Sequence, residues 1–145
     1  KSVDPSIDVR VTYIGSFSDV ALAAEAATTH LSAGADVLTG SAQMVIGAIG
    51  KAQEAGAYWF GTQADQTSFA PDVVVASQVY HWEVILKEIL ALRDQGILGG
   101  KTFSANLGNG GQVIRINDQI DIPQEVKDKA NEVIQGIIDN TITIP

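Results

Sequence analysis

Four short segments hold the residues whose chemistry could matter: Ser16-Phe17-Ser18-Asp19, Gly40-Ser41-Ala42-Gln43, Thr62-Gln63-Ala64-Asp65-Gln66 and Tyr80-His81-Trp82. They offer amides, hydroxyls, carboxylates and aromatic rings. That set grips a flat, hydrogen-bonding ligand by stacking and amide contacts. Polar loops are ordinary in α/β proteins, so the weight lies on the four together. Sets able to break bonds are poor. His30 falls late in an alanine-rich segment and reads as a surface residue. His81 stands beside the fourth segment, but cysteine is absent and no serine sits in a Gly-x-Ser-x-Gly elbow. Asp65 has the chemistry of a general base, yet a carboxylate so placed more often accepts from a ligand or caps a helix. No catalytic residue is assigned. No His-x-x-x-His pair and no carboxylate-dense loop occurs, so neither a metal nor another cofactor is expected. The run Gly108-Asn109-Gly110-Gly111 lacks the lysine and following helix of a phosphate loop and reads as a plain hairpin turn.

Positioning these segments falls to alternating strands and helices. Asp8 to Ile14 alternates as a strand and stops at Gly15. Ser18 can cap a helix from Val20 to Leu31 that Gly34 ends. Ala35 to Gly40 is a second short strand. Ser41 can cap the next helix, striped by Val45, Ala48, Ile49 and Ala52 and closed by Gly56. The junctions Ser32-Ala33-Gly34-Ala35-Asp36 and Glu54-Ala55-Gly56-Ala57-Tyr58 resemble each other, each turning on a left-handed glycine. Strands follow at Tyr58 to Thr62 and Val73 to Tyr80, apolar on both alternating faces as in a parallel sheet covered on both sides. Trp82, Ile85, Leu86 and Ile89 stripe a helix ended by Gly96, where Glu83 and Lys87 suit an i,i+4 pair. Thr102 to Leu107 and Val113 to Ile116 read as a strand pair around the glycine turn, and a last helix begins near Pro123. The implied fold class is α/β, a mainly parallel sheet with helices on both faces. In such sheets ligands bind where loops leave the carboxyl ends of the strands, which selects the four segments above.

Composition narrows the function further. A net charge of −8, with only nine scattered basic residues, excludes nucleic acid as a partner. No uninterrupted apolar stretch is long enough to span a bilayer. Lys1-Ser2-Val3-Asp4-Pro5 has no apolar core and is not a signal peptide, as expected equally of a mature or truncated chain. Zero cysteines exclude disulfide and thiolate chemistry.

The run Val11-Thr12-Tyr13-Ile14-Gly15-Ser16-Phe17-Ser18-Asp19 resembles a strand and loop of the basic membrane protein family, substrate-binding lipoproteins of ABC transporters that include purine nucleoside receptors. Gly34-Ala35-Asp36-Val37-Leu38, Gly61-Thr62-Gln63-Ala64-Asp65-Gln66, Phe69-Ala70-Pro71-Asp72, Gly99-Gly100-Lys101-Thr102 and Ile142-Thr143-Ile144-Pro145 resemble later family segments in order and spacing. The resemblance implies a type I periplasmic binding protein lobe, flavodoxin-like, with residues 1–145 forming the C-terminal ligand-binding lobe of a two-lobed protein. It implies a missing N-terminal lobe, a membrane permease as partner, and an extracytoplasmic place through a lipidated N-terminus outside this chain. By the same resemblance Phe17 stacks on a nucleobase, while Gly40 and Ser41 bring backbone close to the ligand. Asp65 falls in the matching Gly-x-Asp-x-Asp-Gln segment, and Trp82 resembles a tryptophan of base-binding relatives. Gln63 and Tyr80 depart from the nucleoside receptors, which carry an aspartate and a lysine there. A glutamine offers one acceptor and one donor group where an aspartate offers two acceptors. The ribose reading weakens, and a nucleobase or other small polar ring stays open beside a nucleoside. A ligand-sensing regulatory domain of the same fold, and an α/β enzyme using Asp65 and His81, are the alternatives.

Overall fold

The structure is a computed structural model describing residues 4–143. Lys1-Ser2-Val3 and the Ile144-Pro145 end of the closing family-like segment lie outside the described residues. The chain runs through α1 (Val20–Ser32), β1 (Val37–Thr39), α2 (Val45–Ala55), β2 (Tyr58–Gly61), a 3-10 turn (Thr67–Phe69), β3 (Val74–Tyr80), α3 (Trp82–Asp94), β4 (Gln112–Ile116) and α4 (Gln124–Ile138). The sheet order is β1-β2-β3-β4, with the first two pairings parallel and the last antiparallel. The expected α/β class with a mainly parallel sheet is therefore what forms.

Helix ends follow the glycine signals. At Gly34 (φ +89°) the Ala35 N–H donates to His30 O, and at Gly56 (φ +67°) the Ala57 N–H donates to Ala52 O. These six-to-one bonds satisfy carbonyls that a helix end would otherwise orphan, and they need a left-handed residue at the turn. Both helices are thus delivered into the next strand by the same device. The N-terminal cap of α1 is Asp19, accepting from Leu22 N, and not the expected Ser18. The Ser16 hydroxyl takes the Ser18 and Asp19 N–H groups, which curls the loop one residue further before the helix begins. Nor does Ser41 cap α2, whose first residue is preceded by Met44. Ala42 is left-handed (φ +84°), so residues 41–44 form a turn and the helix starts three residues later.

The core lies between α1, α2 and one sheet face. Ala27, Leu38, Val45, Ile49, Ala52, Trp59 and Val74 are buried together, with Trp59 1% exposed at the centre. On the opposite face Val37, Tyr58 and Phe60 stay 46%, 49% and 42% exposed. Helices α3 and α4 bury no residue completely. The expected first strand at Asp8–Ile14 does not form. The segment takes no regular secondary structure and pairs with no strand among the described residues, with Val9, Val11 and Tyr13 64%, 67% and 93% exposed. Alternation supplies the pleat but not the hydrogen-bonding neighbour a strand needs. Its tie to α1 is Thr12 Oγ1 at 3.0 Å from His30 Nε2. Thr102–Leu107 is likewise not a strand. Asn106 and Asn109 close a turn by donating each backbone N–H to the other's side-chain oxygen (3.0 and 2.9 Å), and β4 pairs instead with β3. Glu83 and Lys87 form no ion pair among the described residues; Glu83 Oε1 lies 3.8 Å from His81 Nδ1.

Two glycines in α2 separate packing from helix propensity. A Cβ on Gly47 would collide with the Val20 carbonyl, because α1 crosses there, whereas one on Gly50 meets nothing within 4 Å. Gly47→Ala should destabilise the protein by about 1–3 kcal/mol through overpacking. Gly50→Ala should be neutral or stabilise by up to about 1 kcal/mol through helix propensity. Urea unfolding midpoints of the two variants check the contrast.

Candidate functional site

The carboxyl edge of the sheet is laced into one surface by hydrogen bonds between loops. The loop leading into α1 meets the loop after β1 where Met44 N–H donates to Phe17 O (3.3 Å). The β1 and β2 loops are joined twice: Thr62 Oγ1 donates to Gly40 O (2.6 Å), and Ala42 N–H donates to Gln63 Oε1 (3.2 Å). The β2 loop reaches β3 through Gln63 N–H to Gln78 Oε1 (3.2 Å) and Tyr80 N–H to Gln63 O (3.1 Å). His81 N–H donates to Gly111 O (2.9 Å), anchoring the start of α3. Phe17, Gly40, Ser41 and Gln63 thus lie on loops that adjoin one another along one edge, beside Tyr80 at the end of β3 and Trp82 at the start of α3. Gln63 is the hub, tied to the loop after β1 and to strand β3.

This surface is built on a buried polar cluster. Trp59 Nε1 donates to Gln66 Oε1 (2.7 Å), Gln66 Nε2 donates to Thr62 O (3.0 Å), and Gln66 N–H donates to Ser77 Oγ (3.1 Å). All the polar groups of Gln66 on this path are satisfied, as burial demands. Gly61 has no side chain because a Cβ there would lie 2.5 Å from Ser77 Oγ and 2.9 Å from Gln66 Oε1. Gly40 is confined similarly, with Val45 Cγ1 at 3.1 Å and Trp59 Cη2 at 3.3 Å from an added Cβ. A side chain there would press first on Val45 and then on the tryptophan beneath.

The aromatic side chains remain at the surface. Phe17 is 80% exposed and Trp82 57% exposed. Tyr80 and Trp82 face each other with centroids 5.0 Å apart and planes tilted by 31°. Ser41 is exposed and Gly40 half-buried. Asp65 is exposed and accepts the Thr67 N–H at 3.0 Å. The Thr67 backbone and hydroxyl hold its carboxyl below the usual value of 3.8, with Arg115 adding a smaller pull in the same direction. No hydrogen bond or ion pair joins Asp65 to His81 among the described residues. No group of three or more possible metal ligands occurs among them either, and no helix there is long and apolar enough to cross a membrane. Two shallow hollows lie away from this edge. One, of about 320 Å³, lies between Leu31, Asp36, Gly56 and Tyr58; the other, of about 340 Å³, between Ile89, Arg93, Leu98 and Phe103.

Sequence patterns alone did not single out Ser77 or Gln78, and they placed Gln66 in the third segment without its buried role. Their signal is present: polar side chains inside or beside runs that otherwise read as buried apolar strand.

A family model for Bmp, described as ABC transporter substrate-binding protein PnrA-like, matches residues 1–145. The chain belongs to the Bmp family. Basic membrane protein A of Borreliella afzelii is 30% identical over 150 residues, covering 100% of this chain and 46% of that protein. A purine-binding protein of Brucella abortus (strain 2308) is 28% identical over 134 residues, covering 91% of this chain and 37% of its own length. The chain therefore spans less than half of these curated relatives. Among solved structures, ABC transporter solute-binding proteins of Conexibacter woesei DSM 14684 and Aeropyrum pernix K1 share its fold at TM-scores of 0.77 and 0.76. Their identities are 19% and 20%; the matches cover 99% and 92% of this chain and 48% and 46% of theirs. A transcriptional activator of the comK gene from Bacillus halodurans matches equally well, at TM-score 0.77 and 16% identity, over 92% of this chain and 47% of its own.

The Asp65 turn carries a pH signature. Its carboxyl titrates lower folded than unfolded, so its contribution is complete above 3.8 and is lost as pH falls through the lowered folded value. Asp65→Asn should lower stability at neutral pH and flatten the loss on acidification. Denaturation midpoints of parent and variant, followed from neutral pH to below 3.8, should converge.

Proposed function

We propose that this chain is one wall of the closing cleft of an ABC transporter solute-binding protein, taking a small polar ring such as a nucleobase or nucleoside. The observation that carries the reading is the laced carboxyl edge. Loops from neighbouring strands meet there, with Phe17 exposed at one end and the Tyr80–Trp82 pair at the other. Exposed rings beside fixed amides suit a ligand bound by stacking and edge hydrogen bonds. The purine-binding name of the Brucella relative points the same way. Phe17, Tyr80 and Trp82 contact the ring faces, Gly40 and Ser41 bring backbone close, and Gln63 and Asp65 supply polar contacts. The opposing wall is an N-terminal lobe outside this chain, in keeping with the 46% of the Borreliella relative's length that the chain spans.

On this reading the protein binds and releases without turnover, as its membership of a substrate-binding family suggests. Among the described residues Asp65 is engaged by Thr67, and His81 lies near Glu83. Closure would change which surface meets a partner, here a membrane permease, with the protein held outside the cytoplasm by an N-terminal lipid. A second reading is a ligand sensor in regulation, favoured by the fold shared with the comK activator. Loss of ligand uptake in cells lacking the protein supports the first reading, and altered transcription with normal uptake supports the second.

Binding is tested by thermal shift on the intact full-length protein with purines, pyrimidines and nucleosides. A specific ligand at a hundred times its Kd should stabilise the fold by about 2.7 kcal/mol. Phe17→Ala and Trp82→Ala should each weaken that ligand by up to about tenfold, the scale of one aromatic stack. Unchanged affinity in both variants would place the ligand elsewhere.

A further inference from the structure

One buried polar atom of the edge has no hydrogen-bond partner among the described residues. Gln78 lies on β3 two residues before Tyr80, opposite Ile114 of β4. Its Oε1 accepts the Gln63 N–H at 3.2 Å. That backbone donor fixes which way the carboxamide points, since the amide nitrogen cannot take its place. The other half of the group, Nε2, is out of contact with solvent and donates to nothing among the described residues. Buried donors are rarely left unpaired, and a lone one calls for a reason.

Gln63 is peculiar in the same place. It is a non-glycine residue at φ +73°, and Ala42, to which its side chain reaches, is another at φ +84°. Such conformations are uncommon and are maintained only where surrounding contacts enforce them. Here the enforcement includes one 3.2 Å bond at each end of Gln63, from Ala42 N–H and to Gln78 Oε1. The side-chain oxygen of Gln63 thereby accepts one bond, while its Nε2 donates to no group among the described residues. Both glutamines therefore have acceptors in use and donors to spare.

Resting on the binding reading above, we propose that Gln78 is the specificity-determining residue of the site, its Nε2 donor selecting planar heterocycles that present a ring carbonyl over those that present an amino group. The ligand carbonyl accepts from Gln78 Nε2 when the Gln63 strut shifts, and the Gln63 amide donates to a second acceptor on the same ring. A heterocycle carrying an amino group at that position sets donor against donor, leaving the amide unpaired and adding a repulsive contact.

Calorimetric titration of the intact full-length protein with hypoxanthine, adenine and inosine tests this. The parent should bind hypoxanthine at least about tenfold more tightly than adenine, a discrimination within reach of one buried polar contact. Gln78→Met keeps the volume and removes the donor, and should bring the hypoxanthine-to-adenine ratio towards one. Gln78→Glu keeps the acceptor for Gln63 N–H should the first variant fail to fold. With its carboxylate ionised, confirmed by repeating the titration at raised pH, it should favour adenine. Adenine bound as tightly as hypoxanthine by the parent, or an unchanged ratio in the folded variants, overturns the proposal while leaving base binding intact. No binding of any of the three compounds overturns the purine reading on which it rests.

Discussion

Everything at the carboxyl edge depends on Trp59 being both the centre of the core and a hydrogen-bond donor. Its ring is covered by α1 and α2, and its Nε1 holds Gln66 Oε1 at 2.7 Å. An indole so buried must find an acceptor, and an acceptor so buried must be held in place. Gln66 meets that demand and spends its remaining groups on Thr62 O and Ser77 Oγ. The loop after β2 is therefore fastened to the core and to β3 before any ligand is considered. Removing the indole donor would strand Gln66 Oε1 and loosen the loop that carries Gln63. Core and site are one mechanical unit here, and the cost of the polar cluster is offset by complete pairing.

The same unit explains the glycines around it. Gly40 and Gly61 are tight positions because Trp59, Val45, Ser77 and Gln66 occupy the space a side chain would need. Their job is close approach, in contrast to Gly34 and Gly56, which serve left-handed turns. Ala42 and Gln63 then stand out. Both take left-handed backbone without being glycine, and both sit at the edge where the loops converge. Strain concentrated at one surface, away from the ordinary helix caps, is where a functional constraint would be expected.

How much of this was legible in the sequence depended on how local each cause is. The helix stops at Gly34, Gly56 and Gly96 follow from a backbone conformation that one residue type prefers, and they were readable. The strands at Tyr58–Gly61 and Val74–Tyr80 carried enough apolar run to be found to within two residues. Asp19 displaced Ser18 as a cap because Ser16, two residues earlier, competes for the intervening N–H groups. Ser41 failed as a cap because a left-handed Ala42 cannot be seen in residue types. Segment Asp8–Ile14 has the alternation of a strand and no partner among the described residues, and pairing is a property of two segments. Gln78 was invisible for the same reason. Its role exists only once β3 is set in register beside the β2 loop.

Exposed apolar surface adds a last constraint. Val9, Val11 and Tyr13 before α1, Val37, Tyr58 and Phe60 on the sheet, and Leu86, Ile89 and Leu90 on α3 are all 40% exposed or more. Scattered apolar residues on a surface are normal, but groups of them in three parts of one chain are not. On the proposed two-lobed reading, further polypeptide covers part of this surface and the ligand draws the rest of its contacts from a facing wall. One wall then supplies only a share of the affinity, so the isolated chain should bind far more weakly than the intact protein. On the same reading this wall contributes to the orientation of the ligand through Gln78, which β3 holds in register beside Gln63, while Thr62 of the same loop is tied to the core through Gln66.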